Sequence, residues 1–379
     1  MSDPLDLPVR LAFDCSGQFK PLARVAVVGA GIAGSCVARA LCQAGVDVDL
    51  YDRAQEAAQG ASGNWVGAFH PHLTRGDSPL SKLTRLGFEH TLAELTDLTA
   101  MGLLSKGVDW DTPGHLQTFG HDQAERARST LEILGFSSDR VQWSEPFEHL
   151  PSPNPGYFFP QGGWVKPPCW VQANLRACGD RLRIHWGAMI QDVSTLLASH
   201  DAVVLACAEQ SLTLAPIDGA LASTVKGQIT RVELNSSMPK RLPCVLSGES
   251  YAISPPADNW IVLGATYERP ALDLTPTAQA DEYNIQRFKS TLPTWPLGAV
   301  LDHRCGVRFV WNDRLPAIGP VPGRPNLFMS TGFASRGLLW AALGGWIVRQ
   351  YCTGYRVQST LLDKIKPRAS RPSKGHNAR

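Results

Sequence analysis

Three glycines with the spacing of a phosphate-binding turn are the residues whose chemistry is easiest to specify. Gly29, Gly31 and Gly34 follow a short apolar run and open a helical pattern. At this spacing the first glycine permits a tight turn, the second lets the backbone approach a pyrophosphate, and the third lets helix and strand pack closely. The free N–H groups of the helix N-terminus would face the phosphates. The spacing predicts a dinucleotide site.

An acidic residue stands where the ribose of such a dinucleotide needs an acceptor. Asp52 ends a second apolar run, 18 residues beyond Gly34, and Arg53 follows it. A carboxylate at this distance can accept hydrogen bonds from the ribose hydroxyls. Spacing alone leaves both NAD and FAD open as the cofactor.

The elements that must position these residues form a compact βαβ unit. The pattern predicts a strand over 24–29, a helix over 31–44 and a strand over 46–51. A further helix is expected to begin at Pro79, and a long apolar helix to follow the turn after Gly332. The other expected elements are helices over 123–134, 169–178 and 283–292, strands over 201–206 and 326–330, and short antiparallel strands within 226–268.

Length and composition indicate a globular protein of two domains. The chain has 379 residues, of which 44% are hydrophobic and 18% charged. Its nine cysteines include no CxxC pair, which disfavours structural zinc and a disulfide framework. The longest apolar stretch, 337–348, is shorter than the roughly 20 residues that cross a bilayer. We therefore expect a cytoplasmic protein with no bound metal and no membrane association.

The C-terminal end of the chain is basic. From Lys364 onward it carries six Lys and Arg residues and no acidic one. One interpretation is a solvated tail, and the other is a contact with nucleic acid, because such residues neutralise phosphates. The residues by themselves leave both open.

Several further motifs occur in the order and spacing of one enzyme family. They are Gly60-Ala-Ser-Gly-Asn64, Gly162-Gly-Trp164, Gly227-Gln228, Gly264-Ala-Thr-Tyr267, Cys305-Gly-Val-Arg308 and Ser335-Arg-Gly-Leu338. With them the chain, from about 24 to 368, resembles the FAD-dependent oxidoreductases of the D-amino-acid oxidase/glycine oxidase group. Within that group it is most similar to the C-terminal oxidoreductase domain of the MnmC family, the bifunctional enzymes of the tRNA wobble uridine.

The resemblance implies FAD as the cofactor and an α/β fold, α+β overall. A Rossmann-like FAD-binding domain would be interleaved with an antiparallel-sheet substrate domain. The expected segments are an N-terminal arm (1–23), a discontinuous FAD-binding domain (24–105, 160–225 and 300–368), a substrate domain (106–159 and 226–299) and a basic tail (369–379).

Two loops are expected to contact the flavin. The loop over 60–67 would lay small residues against the flavin ring. The turn over 332–338, before the last helix, would aim N–H groups at the pyrimidine oxygen of the flavin, where negative charge develops on reduction. Together with the glycine turn, Asp52 and Arg53, the implied cofactor residues are Ala61, Ser62, Gly63, Asn64, Gly67, Gly332, Ser335, Gly337 and Leu338.

The substrate carboxylate calls for an arginine, because a guanidinium binds it in a bidentate way. The resemblance points first to Arg308, whose alternative is a structural ion pair with Asp313 or Asp302. Arg336 is the second candidate and would otherwise contact backbone carbonyls. Tyr251 and Tyr267 could donate hydroxyls to the same carboxylate or belong to the core.

The chain departs from the family pattern at two places. His70 stands where the resemblance leads us to expect a tyrosine before Pro71, and His72 follows. Both are interpreted as loop histidines, with a role beside the flavin or in proton transfer as the alternative. Only 23 residues precede the cofactor strand, so any methylation step would belong to a separate methyltransferase.

The implied reaction is oxidation of a C–N bond next to a carboxylate. In the MnmC-like version the substrate is 5-carboxymethylaminomethyl-(2-thio)uridine at the wobble position of tRNA, approached through the substrate cleft and the basic tail. The products would be 5-aminomethyl-(2-thio)uridine and glyoxylate. The alternatives are an oxidase of free glycine, sarcosine or a related amino acid, and a non-catalytic protein that binds FAD and RNA.

Overall fold

The computed structural model describes residues 12–14, 22–234, 241–269 and 273–369. Most of the predicted N-terminal arm and nearly all of the predicted basic tail, from 370 onward, lie outside these ranges. The described part of the arm is a short strand, β1 (Ala12–Asp14), which pairs antiparallel with the last strand, β19 (Arg356–Gln358).

Eight α-helices lie in the described residues. Two of them, α1 and the apolar α8, pack against each other and against the longest helix, α2, in the largest apolar core. The helices are α1 (Ile32–Gln43), α2 (Pro79–Ala100), α3 (His121–Leu134), α4 (Pro167–Ala177), α5 (Ser194–Leu197), α6 (Gln210–Leu214), α7 (Ala278–Thr291) and α8 (Gly337–Cys352).

A six-stranded sheet carries the glycine turn. Its first five strands run parallel and its edge strand, the last named, runs antiparallel to its neighbour. In spatial order they are β10 (Leu182–Trp186), β3 (Asp47–Asp52), β2 (Arg24–Val28), β11 (Ala202–Leu205), β18 (Leu327–Thr331) and β17 (Ala317–Pro320). This parallel arrangement confirms the predicted Rossmann-like unit.

A larger, mostly antiparallel sheet of eight strands forms the other layer, with one parallel pair, β13 and β6. In spatial order its strands are β16 (Val300–Trp311), β12 (Ala222–Glu233), β15 (Trp260–Gly264), β14 (Tyr251–Ile253), β13 (Val245–Ser247), β6 (His115–Thr118), β8 (Gly156–Phe159) and β7 (Gln142–Ser144). A small antiparallel sheet consists of β4 (Gly67–Phe69), β9 (Gly163–Val165) and β5 (Trp110–Asp111). The predicted α/β class with an antiparallel second sheet is confirmed.

The domain boundaries stay a prediction, but strand β16 lies in the eight-stranded sheet, whereas those boundaries assign its residues to the FAD-binding domain. Residues 300–311 were expected in the FAD-binding domain, whereas β16 pairs with β12 along most of its length in the eight-stranded sheet. A strand that pairs over so many residues is held by its ladder hydrogen bonds. β16 therefore extends the larger sheet to the cofactor side of the molecule.

Helix α7 begins five residues before the start that periodicity predicts. The Thr277 hydroxyl accepts a hydrogen bond from the Ala280 N–H at 3.2 Å and caps the helix. Threonine is a favoured N-cap because it satisfies an N–H group that has no partner within the helix. The capping residue, and not the apolar pattern, sets this boundary.

No helix in the described part of the chain is both long enough and apolar enough to cross a membrane. The apolar segment 337–348 that the sequence singled out belongs to α8, which is largely buried. Its apolar character therefore reflects packing between the six-stranded sheet and α1 and α2.

A buried carboxylate ties the edge of the six-stranded sheet together. The side chain of Asp49 is 3% exposed and accepts hydrogen bonds from Arg24 at 2.6 Å, His185 at 3.0 Å and His200 at 3.2 Å. Burial alone would raise the pKa of Asp49, but these hydrogen bonds lower it to about 2. The folded protein therefore favours the ionised carboxylate.

We expect Asp49→Asn to lower the free energy of unfolding by about 2 kcal/mol at pH 7. Because the pKa is lower in the folded state, this contribution is complete above the ordinary value near 4 and is lost as the pH falls through 2. Urea unfolding of wild type and variant at pH 7 and pH 3 measures it, and the difference should be about halved at pH 3.

The matched control is Asp47→Asn on the same strand. Asp47 pairs with Arg181 at 2.9 Å, and both side chains are at least half exposed. Its substitution should change the free energy of unfolding by less than about 1 kcal/mol. Equal effects of the two substitutions would contradict the role given to Asp49.

Candidate active site

The glycine turn lies between β2 and α1, as its spacing predicts. Gly29 has φ 111°, a left-handed conformation that favours glycine, and its N–H donates to the Tyr51 carbonyl at 2.8 Å. A Cβ on Gly34 would collide with the Gly29 carbonyl oxygen. The turn thus brings the N-terminus of α1 against the carboxyl ends of β2 and β3, where ligands bind in such sheets.

The side chain of Asp52 holds this turn. Its Oδ2 accepts the N–H of Ala30 at 2.6 Å and its Oδ1 accepts the N–H of Ala54 at 2.8 Å. A carboxylate can accept about four hydrogen bonds, so two acceptor positions are left for ribose hydroxyls. The ribose contact stays a prediction, and the anchoring of the turn is a second role that spacing did not reveal.

The loop at 60–64 reaches the same helix end. Ser62 Oγ accepts the N–H of Ile32 at 2.9 Å, and Arg304 on β16 donates to the carbonyl of Gly60 at 2.8 Å. The serine therefore caps α1 from a distant part of the chain, and the arginine fixes the loop to the eight-stranded sheet. Arg304 had not been predicted, because no local signal connects it with a loop more than 240 residues away.

One cavity of about 800 Å³ joins the glycine turn, this loop and the start of α8. All the predicted site residues line it except Gly34, Gly63 and Arg336. The predicted residues in its wall are Gly29, Gly31, Asp52, Arg53, Ala61, Ser62, Asn64, Gly67, Tyr251, Tyr267, Arg308, Gly332, Ser335, Gly337 and Leu338.

The other three predicted residues, Gly34, Gly63 and Arg336, do not line the cavity. Gly34 packs inside α1, and Gly63 lies beside the guanidinium of Arg304. Arg336 is the residue that precedes α8. Burial and the positive charge of Arg314 both lower the pKa of Arg336. The structure therefore places Arg336 next to the site but not in contact with the cavity.

Arg308 projects from β16 into the cavity. Its Nη1 donates to the Thr266 carbonyl at 3.4 Å, and the guanidinium lies so close over Gly227 on β12 that a Cβ there would collide with it. Within the described residues no carboxylate lies within ion-pair distance of it. The alternative of a structural ion pair therefore fails in this part of the chain.

The two acidic residues considered as partners of Arg308 are bound elsewhere. Asp302 pairs with Arg231 at 2.9 Å, and Asp313 binds the guanidinium of Arg368 through both oxygens at 2.7 Å. Arg308 is half-buried, and partial burial already disfavours a charge that has no counter-ion. Arg308 is thus arranged to receive an anion from the cavity.

Tyr251 on β14 lies beside Arg308. Burial raises the pKa of Tyr251 to about 12, and the positive charge of Arg308 opposes this only in part. The phenol therefore keeps its proton at neutral pH and can donate a hydrogen bond to an anion held by Arg308. Tyr267, by contrast, is 58% exposed at the cavity entrance.

Two histidines add polar groups to the wall of the same cavity. The ring centroids of His70 and His115 are 3.9 Å apart, and His115 Nε2 lies 2.6 Å from the Ser247 hydroxyl. Burial lowers the pKa of His70 to about 4 and that of His115 well below its ordinary value, so both rings are neutral at pH 7. His115 had not been predicted, because only strand pairing brings β6 to this cavity.

His70 can be assigned a tautomer, whereas His72 lies outside the cavity wall. His70 Nδ1 is 2.9 Å from the Pro71 carbonyl oxygen, which can only accept, so Nδ1 carries the proton and Nε2 is an acceptor. Burial and the charge of Arg336 lower the pKa of His72 to about 4. Of the two loop histidines, only His70 reaches the cavity.

The cavity fits FAD by the chemistry of its lining. The N-termini of α1 and α8 both open onto it, and Gly31 leaves room beside Ser62 for a group of the cofactor to approach. Helix N-termini bind phosphates and other anions through N–H groups. In the described residues, no three His, Cys, Asp or Glu side chains are grouped as a metal site would require.

Curated relatives of the chain are bifunctional proteins of tRNA 5-methylaminomethyl-2-thiouridine biosynthesis. The chain is 33% identical to the tRNA 5-methylaminomethyl-2-thiouridine biosynthesis bifunctional protein MnmC of Burkholderia orbicola over 91% of its own length and 60% of that protein. It is 35% identical to the protein of the same name from Thiobacillus denitrificans, over 90% and 59%. The chain thus spans about three fifths of the length of these relatives.

Two of the solved structures that resemble the chain are glycine oxidases. Glycine oxidase from Bacillus cereus superimposes with a TM-score of 0.78 at 18% identity, over 93% of this chain and all of that one. Glycine oxidase from Geobacillus kaustophilus gives 0.76 at 20%, over 92% and 99%. At this identity the likeness shows the fold.

The family itself follows from the match of most of the sequence. Residues 24–351 match the family DAO, described as FAD dependent oxidoreductase. This match confirms the predicted enzyme class and FAD as the cofactor, and it contains both the glycine turn and Arg308. The chain belongs to the DAO family of FAD dependent oxidoreductases.

Proposed function

We propose that this protein oxidises the C–N bond of 5-carboxymethylaminomethyl-(2-thio)uridine at the wobble position of tRNA. The observation that carries the proposal is Arg308 in the wall of the FAD cavity, which pairs with no carboxylate of the residues that the structure describes and has the protonated hydroxyl of Tyr251 beside it. Such a pair suits the carboxylate of a glycine-like group. The choice of tRNA is supported by the relatives, which are proteins of tRNA 5-methylaminomethyl-2-thiouridine biosynthesis.

The glycine turn, the loop at 60–64 and the start of α8 would hold FAD, which would supply a two-electron oxidation by taking one hydride from the carbon between the amine and the carboxylate. Hydrolysis by water would then complete the cleavage to an amine and glyoxylate. The chain's own residues would orient this group. Arg308 would hold the carboxylate in a bidentate way and Tyr251 would donate to it. The neutral His70 would present Nε2 as an acceptor for the N–H of the amine.

The test is turnover of the modified tRNA itself. The purified holoprotein is incubated with tRNA that carries the carboxymethylaminomethyl group, and the nucleosides are analysed by mass spectrometry. We expect the aminomethyl nucleoside together with an equal amount of glyoxylate. Unchanged tRNA, with rapid bleaching of the flavin by glycine or sarcosine, would support the free amino-acid oxidase instead.

The basic C-terminal end, which begins at Lys364 in the sequence, offers a second test through binding of tRNA. In the structure only its part beyond Arg368 can be a tail. Arg368 binds Asp313, and Ile365 is fully buried, so residues 364–368 belong to the folded body and are not a free tail. Truncation after Ala369 removes the remaining basic residues, Arg371, Lys374 and Arg379. We expect it to weaken tRNA binding several-fold at low salt, because fewer phosphates are neutralised.

The readout for this truncation is the dissociation constant for tRNA across a salt titration, with FAD content as the control. The slope of log affinity against log salt should fall, by up to about three phosphate contacts. An identical affinity and slope for the full chain and the truncated one would contradict a contact between this segment and tRNA.

A further inference from the structure

An arginine and an exposed tyrosine form a hydrogen-bonded cation–π pair at the entrance of the cavity. The Arg269 guanidinium carbon lies 5.2 Å from the centroid of the Tyr267 ring, and its Nη2 donates to the tyrosine hydroxyl at 2.6 Å. The ring is 58% exposed. Its hydroxyl therefore accepts a hydrogen bond from Arg269, and the side chain is open to solvent.

Tyr267 of this pair lies in the wall of the cavity. Tyr267 and Leu274 both line the cavity and are both about half exposed. Tyr267 also directly follows Thr266, whose carbonyl accepts from Arg308. A substrate whose carboxylate lies on Arg308 would therefore leave the cavity past Tyr267, so that the portion beyond the reacting bond meets the ring.

The chain carries a second pair of the same geometry away from the cavity. Arg287 lies 5.4 Å from the centroid of the Tyr283 ring and donates to its hydroxyl at 2.6 Å. Arg287 is neutralised by Glu249 at 2.8 Å. Within the described residues no carboxylate lies within ion-pair distance of Arg269, so the pair at the entrance keeps its positive charge.

We propose that Tyr267 and Arg269 form a stacking platform for an unpaired nucleobase next to the modified nucleotide of the substrate RNA. This inference rests on the proposed function and specifies how the enzyme holds the part of the tRNA outside the cavity. An exposed aromatic ring stacks with any base, and the neighbouring guanidinium adds cation–π attraction and a charge for the adjoining phosphate.

The exposure of this pair at the cavity favours a substrate larger than a free amino acid. A glycine-sized substrate bound to Arg308 ends inside the cavity, whereas an aromatic ring at the entrance offers stacking area that only a larger, flat group can use. Tyr267 is then a residue that selects for RNA and acts on binding, not on the reacting bond. Its hydroxyl is not needed for this role.

The experiment compares two substrates on four proteins. The substrates are tRNA with the carboxymethylaminomethyl group and the free 5-carboxymethylaminomethyluridine nucleoside. The proteins are wild type, Tyr267→Leu, Tyr267→Phe and the matched control Tyr283→Leu. FAD content and thermal unfolding are recorded for each, because an exposed side chain should leave both unchanged.

We expect Tyr267→Leu to raise KM for tRNA about 5- to 100-fold more than KM for the nucleoside, with kcat for tRNA little changed. Tyr267→Phe should keep the wild-type KM for tRNA, since it retains the ring, and Tyr283→Leu should behave as wild type. An equal loss for both substrates, or a loss in the Phe variant, would assign the hydroxyl to the carboxylate and overturn the platform.

The two proposals can fail separately. If wild type converts the modified tRNA and Tyr267→Leu does so with the same KM, the platform is overturned and the proposed function stands. If wild type converts no tRNA but oxidises glycine or sarcosine, the proposed function fails and the platform fails with it.

Discussion

Replacing Arg308 by methionine should lower kcat/KM for the amine substrate by about 10²- to 10⁴-fold and leave FAD content unchanged. A bidentate guanidinium makes two charge-assisted hydrogen bonds to a carboxylate, each worth about 1.5–3 kcal/mol. Methionine fills similar volume without the charge. The variant also removes a cation that has no carboxylate partner among the described residues, so the folded protein should not be destabilised.

The measurement is steady-state turnover of the modified tRNA, with the flavin absorbance spectrum as the check on cofactor content. Arg308→Lys should recover only part of the loss, because an ammonium offers no planar pair of donors. Arg128→Met is the matched control, since Arg128 forms surface pairs with Glu132 and Glu145 on the outside of α3. A kcat/KM for Arg308→Met within threefold of wild type would rule out a carboxylate on Arg308.

Gly34→Ala should deprive the protein of most of its FAD. The added Cβ would collide with the carbonyl oxygen of Gly29, whose own N–H is bound to Tyr51, so neither backbone segment can yield freely. Moving α1 away from β2 shifts the N–H groups that would face the phosphates. Overpacking of this kind costs about 1–3 kcal/mol in stability, and each displaced charge-assisted hydrogen bond costs about as much in binding.

The expected readouts are a purified protein with at most about a tenth of the wild-type FAD and a lower free energy of unfolding. Gly76→Ala serves as the control, because nothing lies within 4 Å of a Cβ at that position. Wild-type FAD content in Gly34→Ala would show that the turn tolerates a side chain and that the cofactor is anchored elsewhere.

The local part of the site was predictable because its determinants are neighbours in sequence. The turn between β2 and α1 needs glycine for one left-handed residue and one close contact, and both requirements appear in the spacing of Gly29 and Gly34. Asp52 follows as the end of the next strand in a parallel sheet. The apolar runs and turn residues of the same region predict the strands and helices that carry them.

The distant part of the site was predictable only through the family resemblance, and then incompletely. Arg308 and Tyr251 line the cavity as expected, whereas Arg336 does not and Tyr267 lies at its entrance. His115 and Arg304 had no signal at all. The spacing of residues along one strand does not tell which strand it will pair with, so these contacts could not be derived locally.

The basic C-terminal end also has one property that the sequence predicts and one that only the tertiary structure decides. The sequence records six positive charges and no acidic residue from Lys364 onward. It does not record that Asp313 lies against Arg368, which turns one of these charges into a partly buried structural pair. The charge of a segment is a local property, whereas its availability to a partner depends on what packs against it.

By itself the sequence determined that a dinucleotide is bound at the turn between β2 and α1, because turn geometry and helix polarity depend on residues close in the chain. Tertiary structure alone decided that no carboxylate of the described ranges pairs with Arg308, that the rings of His70 and His115 lie together, and that Tyr267 is exposed. Each of these facts depends on strands paired across long stretches of chain. Burial and pairing, which set charge and protonation in the site, arise only when those strands meet.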